Sequence, residues 1–157
     1  MTIKNLKIGD QAPNFVANST DGELKLSDLK GKNVVIYFYP KDDTPGCTIE
    51  AQDFSKKSDQ FEKLDCIIIG VSKDCMNSHN KFINKYNLNF ELISDEEKTI
   101  CDLYNVIKEK SMFGKKYQGI DRATFLIDRM GKIIKIWRTV KVKGHVEEVY
   151  LELKNSL

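Results

Sequence analysis

The hydrophobic residues of this chain alternate between continuous runs and helical spacing. An unbroken apolar run at 33–39 predicts a strand that is buried on both faces. In the next segment, 47–64, the apolar residues recur every three or four positions, which predicts a helix. A second apolar run at 66–71 predicts another buried strand. The first half of the chain therefore follows a strand–helix–strand order.

The rest of the chain continues this alternation. Short strands are predicted at 15–17, 23–26 and 90–93, a helical turn at 27–31, and a hairpin that joins 124–127 to 133–137. Three more helices are marked by apolar faces: His79, Phe82, Ile83 and Tyr86; Ile100, Leu103, Tyr104 and Ile107; and Val146, Val149, Tyr150, Leu153 and Leu157. This order predicts an α/β fold, a mixed sheet with helices on both faces.

Composition narrows the function only slightly. The 157 residues suit a single domain, 1–157. A net charge of +2 gives no field that would attract nucleic acid or a membrane surface. No apolar run approaches the ~20 residues of a membrane helix, and the first six residues lack the apolar core of a secretory signal. We therefore expect a cytoplasmic protein.

The four cysteines, at positions 47, 66, 75 and 101, form no Cys-x-x-Cys pair. That spacing argues against a zinc site and against a dithiol of the thioredoxin type. His79 and His145 also lack metal-ligand spacing, so both are expected at the surface or at helix ends, and no metal site is predicted.

Cys47 has the most informative position. It follows Pro45 and Gly46 at the start of the predicted helix, just beyond a buried strand. The unpaired N–H groups and partial positive charge of a helix N-terminus favour the thiolate. The Thr44 hydroxyl can face that sulfur or a substrate oxygen, or it can cap the helix. The pattern predicts a nucleophilic, partly exposed thiol where sites form in open α/β sheets.

The pattern Pro40-x-x-x-Thr44-x-x-Cys47 resembles the active-site signature of the peroxiredoxins. The string from Thr44 to Thr48 is similar to the bacterioferritin-comigratory-protein branch, also called PrxQ. Segments 9–15, 94–96 and 114–128 resemble further landmarks, so the likeness covers nearly the whole chain. It implies a thioredoxin-like fold with an N-terminal β extension.

The resemblance also implies an activity. A peroxiredoxin is a thiol-dependent peroxidase that reduces hydrogen peroxide and organic hydroperoxides through a cysteine sulfenic acid, here at Cys47. Thioredoxin or another thiol then regenerates it, with no haem, flavin or metal cofactor. The resemblance assigns to Arg122 the role of stabilising the thiolate and the developing oxyanion. Pro40 either helps to close the active-site pocket or only ends the strand. Glu50 is expected to be structural or to pair with Arg122. A monomer or weak dimer is expected.

The resolving thiol departs from the pattern of the branch. Many members carry a second cysteine at the position of Gln52, and others near that of Ile83. Cys75 follows the carboxyl end of strand 66–71, which the resemblance places beside the strand that precedes Cys47. Cys75 is therefore our candidate for a disulfide with Cys47. Resolution by an external thiol remains the alternative.

Two other functions fit the same fold. A thiol–disulfide oxidoreductase is disfavoured by the missing Cys-x-x-Cys pair. A redox sensor would form the sulfenic acid without multiple turnover.

Overall fold

The computed structural model describes residues 5–157, so the first four positions of the segment searched for a secretory signal lie outside it. Nine strands form a seven-stranded sheet and a separate two-stranded sheet within this range. The strands are β1 (Val16–Ser19), β2 (Gly22–Lys25), β3 (Asn33–Phe38), β4 (Cys66–Ser72), β5 (Glu91–Ser94), β6 (Ile107–Met112), β7 (Lys115–Ile120), β8 (Ala123–Ile127) and β9 (Ile133–Arg138).

Four α-helices and one 3-10 turn complete the described chain. They are the 3-10 turn at Leu26–Leu29, α1 (Pro45–Lys63), α2 (Met76–Tyr86), α3 (Thr99–Leu103) and α4 (His145–Ser156). None of these helices, within residues 5–157, has the length and hydropathy needed to cross a bilayer.

The large sheet has the order β2-β1-β5-β4-β3-β8-β9. The interior strand β3 pairs in parallel with β4 and antiparallel with β8, which confirms the predicted mixed sheet. The N-terminal hairpin of β1 and β2 joins the edge of the sheet at β5, where Ser19 pairs with Ile93. This hairpin is the predicted N-terminal β extension.

Strand β3 shows why the sheet needs cover on both faces. Val34, Ile36 and Phe38 enter one apolar cluster. The alternate residues Val35 and Tyr37 enter a second cluster, which also contains apolar residues of α1 and α4. Successive side chains of a strand point to opposite faces, so both apolar sets are buried at once.

The helix predicted through Ile107 is wrong in its second half. Helix α3 ends at Leu103, and Ile107 instead opens β6, where it pairs with Ile120. Asn105 has a φ of 53°. That left-handed conformation turns the chain out of the helix and into the strand.

The hairpin of β6 and β7 was not predicted. Its lysine-rich strands are largely exposed, so they lack the alternation that marks a half-buried strand. Leu157 was also misplaced, because α4 ends at Ser156 and Leu157 is 64% exposed.

Candidate active site

Cys47 lies in the first turn of α1, directly after Pro45 and Gly46. Its side chain belongs to the apolar cluster beneath α1 and is only 2% exposed. The expected partial exposure was therefore wrong, because α1 turns this residue towards the sheet. The position at a helix start is as predicted, and the first turn leaves backbone N–H groups without partners inside the helix.

Arg122 contacts the sulfur from the loop between β7 and β8. Its Nη2 lies 3.3 Å from Cys47 Sγ, and its Nη1 donates to Glu50 Oε1 at 2.6 Å. Burial alone would lower the pKa of Arg122, but Glu50 and Cys47 together raise it. The guanidinium is thus a permanent cation shared by a thiol and a carboxylate.

Gly46 makes room for this cation. A Cβ atom at this position would lie 3.3 Å from Arg122 Nη2 and 3.9 Å from a methyl group of Val142. The first distance is tighter than an ordinary van der Waals contact, so a larger residue would push the guanidinium away from Cys47.

Glu50 lies one turn after Cys47 and is fully buried. Burial raises its pKa to about 7, although the nearby Arg122 acts in the opposite direction. Among residues 5–157, Glu50 Oε2 and the hydroxyl of Tyr37 are the buried side-chain oxygens without a hydrogen-bond partner. The expected pairing of Glu50 with Arg122 is confirmed.

Thr44 is the N-cap residue of α1, yet its hydroxyl does not cap the helix. Thr44 Oγ1 instead donates to the backbone carbonyl of Lys41 at 2.8 Å. The proton of the hydroxyl is therefore committed to the loop, and its oxygen keeps lone pairs that can accept. Pro40 is half-buried and follows the end of β3.

Asp42 and Asp43 fasten the loop before Cys47 to helix α2. His79 Nδ1 lies 2.7 Å from Asp42 Oδ2, and its Nε2 lies 2.9 Å from the carbonyl oxygen of Ile93. Lys85 donates to Asp43 at 2.8 Å. His79 is fully buried, so its predicted surface position was wrong. The spacing of apolar residues does not predict that a helix residue reaches this loop.

Asp42, Asp74 and His79 bring their ligand atoms within 4.8 Å of one another. Each of them is already engaged, since Ser78 donates to Asp42 and Ser72 donates to Asp74. We interpret the group as a hydrogen-bonded anchor for the loop.

His145 begins α4, as expected of a helix-end residue, but it is buried. Burial lowers its pKa to about 4, and its Nε2 lies 2.7 Å from Thr124 Oγ1.

Comparison with known proteins decides the family. Residues 8–136 match the AhpC/TSA family. The chain belongs to this family. It is 51% identical to the peroxiredoxin Bcp of Bacillus subtilis, with 96% of each chain covered, and 51% identical to a putative peroxiredoxin bcp of Coxiella burnetii, covering 92% of this chain and 97% of the relative.

Solved structures agree. Peroxiredoxin Q of Xanthomonas campestris superposes with a TM-score of 0.88 at 40% identity, over 98% of both chains. A further structure of that organism's bacterioferritin comigratory protein, described for its alkyl peroxide reduction activity, gives a TM-score of 0.88 at 39% identity over 96% of this chain and 97% of that one. The chain is thus a peroxiredoxin with the thioredoxin-like fold, a thiol-dependent peroxidase, and the two other functions considered above are set aside.

The other three thiols of this peroxiredoxin differ in solvent exposure. Cys75 is exposed at the N-cap of α2, whereas Cys66 and Cys101 are buried. Burial raises the pKa of Cys66 to about 12 and also raises that of Cys101. Because β3 and β4 are parallel neighbours, Cys47 and Cys75 both follow the carboxyl ends of adjacent strands, as predicted.

Proposed function

We propose that the Cys47 thiolate attacks hydrogen peroxide or an organic hydroperoxide. The observation that carries this assignment is the contact of 3.3 Å between Arg122 Nη2 and Cys47 Sγ at the start of α1. A guanidinium and a helix N-terminus both stabilise a negative sulfur. The alkyl peroxide reduction described for the Xanthomonas relative supports organic hydroperoxides as substrates.

In this reaction an S–O bond forms as the O–O bond breaks. Sulfur is oxidised to the sulfenic acid, the peroxide is reduced, and the leaving oxygen takes a proton to become water or an alcohol. Arg122 and the free N–H groups of the first turn stabilise the charge on that oxygen. The peroxide O–H donates to Thr44 Oγ1, whose own proton is held by Lys41. Pro40 forms part of the wall that keeps water from the sulfur.

We propose that Cys75 captures the sulfenic acid, with loss of water and formation of a disulfide. Cys75 is exposed and follows the strand next to that of Cys47, whereas Cys66 and Cys101 are buried thiols with raised pKa values. The loop before Cys47 is tied to α2 by Asp42 and Asp43, so the first turn of α2 must open. Thioredoxin or another thiol then reduces the disulfide.

We also propose that the whole chain works as one domain in the cytoplasm, as a monomer or weak dimer. The family match spans both sides of the active site, from residue 8 to residue 136.

The test is mass spectrometry of linked peptides after one equivalent of peroxide. The proposal expects a Cys47–Cys75 peptide in the wild type and an accumulated sulfenic or sulfinic acid at Cys47 in Cys75→Ser. Cys101→Ser is the control and should still form the link. If wild-type protein stops at the sulfenic acid without an internal link, resolution belongs to an external thiol. If Cys47 stays reduced while another cysteine is oxidised, the assignment of Cys47 is wrong.

A further inference from the structure

Arg122 is one positive charge placed between two acidic groups of α1. Cys47 and Glu50 are three residues apart, and side chains at this spacing lie on the same face of a helix. One nitrogen of the guanidinium contacts Sγ and another contacts Oε1. The thiol and the carboxyl group therefore compete for the same cation.

The hydrogen bonds around Glu50 are incomplete for an ionised carboxylate. A buried carboxylate normally accepts bonds on both oxygens. Oε1 has Arg122, but Oε2 has no partner within residues 5–157, and neither has the Tyr37 hydroxyl. Burial, with Glu50 and Cys47 adding to it, raises the pKa of Tyr37 well above its usual value, so its proton stays in place. A buried oxygen without a partner costs more free energy when it is charged than when it is neutral, so these surroundings favour the acid form of Glu50.

The charges facing Glu50 lead to the same conclusion. Arg122 approaches from the loop before β8, Asp53 and Cys47 lie on α1, and neutral Tyr37 faces it from β3. If Glu50 and Cys47 were both ionised, the buried group would carry a net negative charge, which is costly away from water. One proton held between the two makes the group neutral.

We propose that Cys47 and Glu50 share one proton across Arg122, so that Glu50 holds it while Cys47 is a thiolate and releases it when Cys47 is oxidised. Glu50 is then a positioning residue that acts through Arg122. Burial raises the pKa of Glu50 to about 7, which places this exchange near neutral pH. The proposal rests on the role assigned to Cys47.

The proton released by Glu50 neutralises the hydroxide that leaves the peroxide. When the thiolate attacks hydrogen peroxide, the sulfenic acid keeps the hydroxyl of the attacked oxygen and the other oxygen leaves as hydroxide. The new sulfenic acid is neutral, so Glu50 no longer competes with a negative sulfur for Arg122. Glu50 ionises and the hydroxide becomes water, with no proton drawn from the solvent. Without a titrating residue 50, the solvent must supply that proton.

Proton uptake from the solvent can be measured by stopped-flow mixing with one equivalent of hydrogen peroxide in a weakly buffered solution of a pH-indicator dye. Glu50→Gln keeps the shape and the oxygen facing Arg122 but cannot titrate, so near neutral pH it should take up about one proton per sulfenic acid. Wild-type protein should take up less, by the fraction of Glu50 that is protonated before mixing. Asp59→Asn removes an exposed carboxylate farther along the same helix, away from Glu50 and Arg122, and should behave like wild type.

The wild type alone provides a second test, which stands even if the variant does not fold. Its proton uptake should rise towards about one as the pH increases to about 9, because Glu50 is then ionised before the reaction. Equal uptake of about one proton by wild type and Glu50→Gln, or a wild-type uptake near one at every pH, overturns the proposal. Consumption of peroxide by folded Cys47→Ser would instead overturn the proposed function, so the two failures are distinguishable.

Discussion

Cys47 and Cys66 lie in the same apolar cluster but have opposite surroundings. They are 2% and 6% exposed, so burial hardly separates them. Cys66 Sγ lies 3.8 Å from the backbone carbonyl oxygen of Ile67, and burial raises its pKa to about 12. Cys47 has a guanidinium at 3.3 Å and a helix start. We infer that the nearby positive charge, and not the degree of burial, separates a reactive thiol from an unreactive one.

The two thiols also lie at opposite ends of the sheet. Cys66 opens β4, where it pairs with Asn33 at the start of β3. Cys47 follows the other end of β3, where connecting loops carry Arg122 and Thr44. In open α/β sheets, functional sites form beyond the carboxyl ends of the strands, which is where Cys47 lies and Cys66 does not.

The largest difference in peroxidase turnover is expected between a variant that lacks the Cys47 sulfur and one that lacks the Cys66 sulfur. Cys47→Ser should lose peroxidase turnover completely while the fold remains, because a serine hydroxyl does not ionise near neutral pH. Cys66→Ala should keep the wild-type rate and lose about 1 kcal/mol in the free energy of unfolding. Turnover assays and denaturant titrations measure both. Substantial activity in folded Cys47→Ser would remove the basis of the comparison.

Removing the cation should have the next largest effect. Arg122→Met deletes a donor worth about 3 kcal/mol in the transition state, so oxidation of Cys47 should slow on the order of a hundredfold. Arg129→Met is the control, since Arg129 pairs with Asp65 on the surface. The rate of Cys47 oxidation by peroxide is measured by stopped flow. Equal rates for the two variants would show that Arg122 has no catalytic role.

A smaller loss is expected from Thr44→Val. The variant loses the oxygen that we propose as the acceptor for the peroxide O–H, so we expect about a tenfold decrease in the same rate. Ser58→Ala breaks a matching bond, because Ser58 Oγ donates to the carbonyl of Ser55 as Thr44 Oγ1 does to that of Lys41. A similar decrease in Ser58→Ala would mean that the loss comes from a broken hydrogen bond to the backbone, and not from a missing acceptor for the peroxide.

The last prediction concerns the Cys66 thiol, which should show almost no reactivity in the folded protein. Its pKa is raised to about 12 by burial, so the thiolate is scarce at any pH below that value. Alkylation followed by mass spectrometry should leave Cys66 unmodified between about pH 7 and 9, and should modify it once the protein is unfolded. Rapid labelling of Cys66 in the folded state would show that burial does not protect it.

The elements that the sequence predicts best are those whose burial is strongly patterned. Strand β3 is apolar on both faces, and the residues that follow it place Cys47 at a helix start. The exposed strands β6 and β7 have no such pattern and were missed. Helix α3 was overextended because the left-handed turn at Asn105 cannot be seen in an apolar spacing.

The active site also has one part that the sequence predicts and one part that it does not. Its local part, with Thr44 and Cys47 in one short segment, is readable from the sequence. Arg122 lies 75 residues from Cys47 along the chain, and it was identified through the family resemblance. The contact between His79 and Asp42, 37 residues apart, had no signal in spacing, and the histidine was misplaced at the surface. Contacts made by the fold between distant segments are the part that pattern alone does not supply.

The central claim is that contact with Arg122, and not solvent exposure, makes the buried Cys47 thiol reactive. It is tested most directly by measuring how fast Cys47 is alkylated at one fixed pH in wild type and in Arg122→Met, by mass spectrometry, with Cys47→Ser as the blank. The account predicts clearly slower alkylation of Cys47 in Arg122→Met than in wild type. Equal alkylation rates in the two proteins would contradict it.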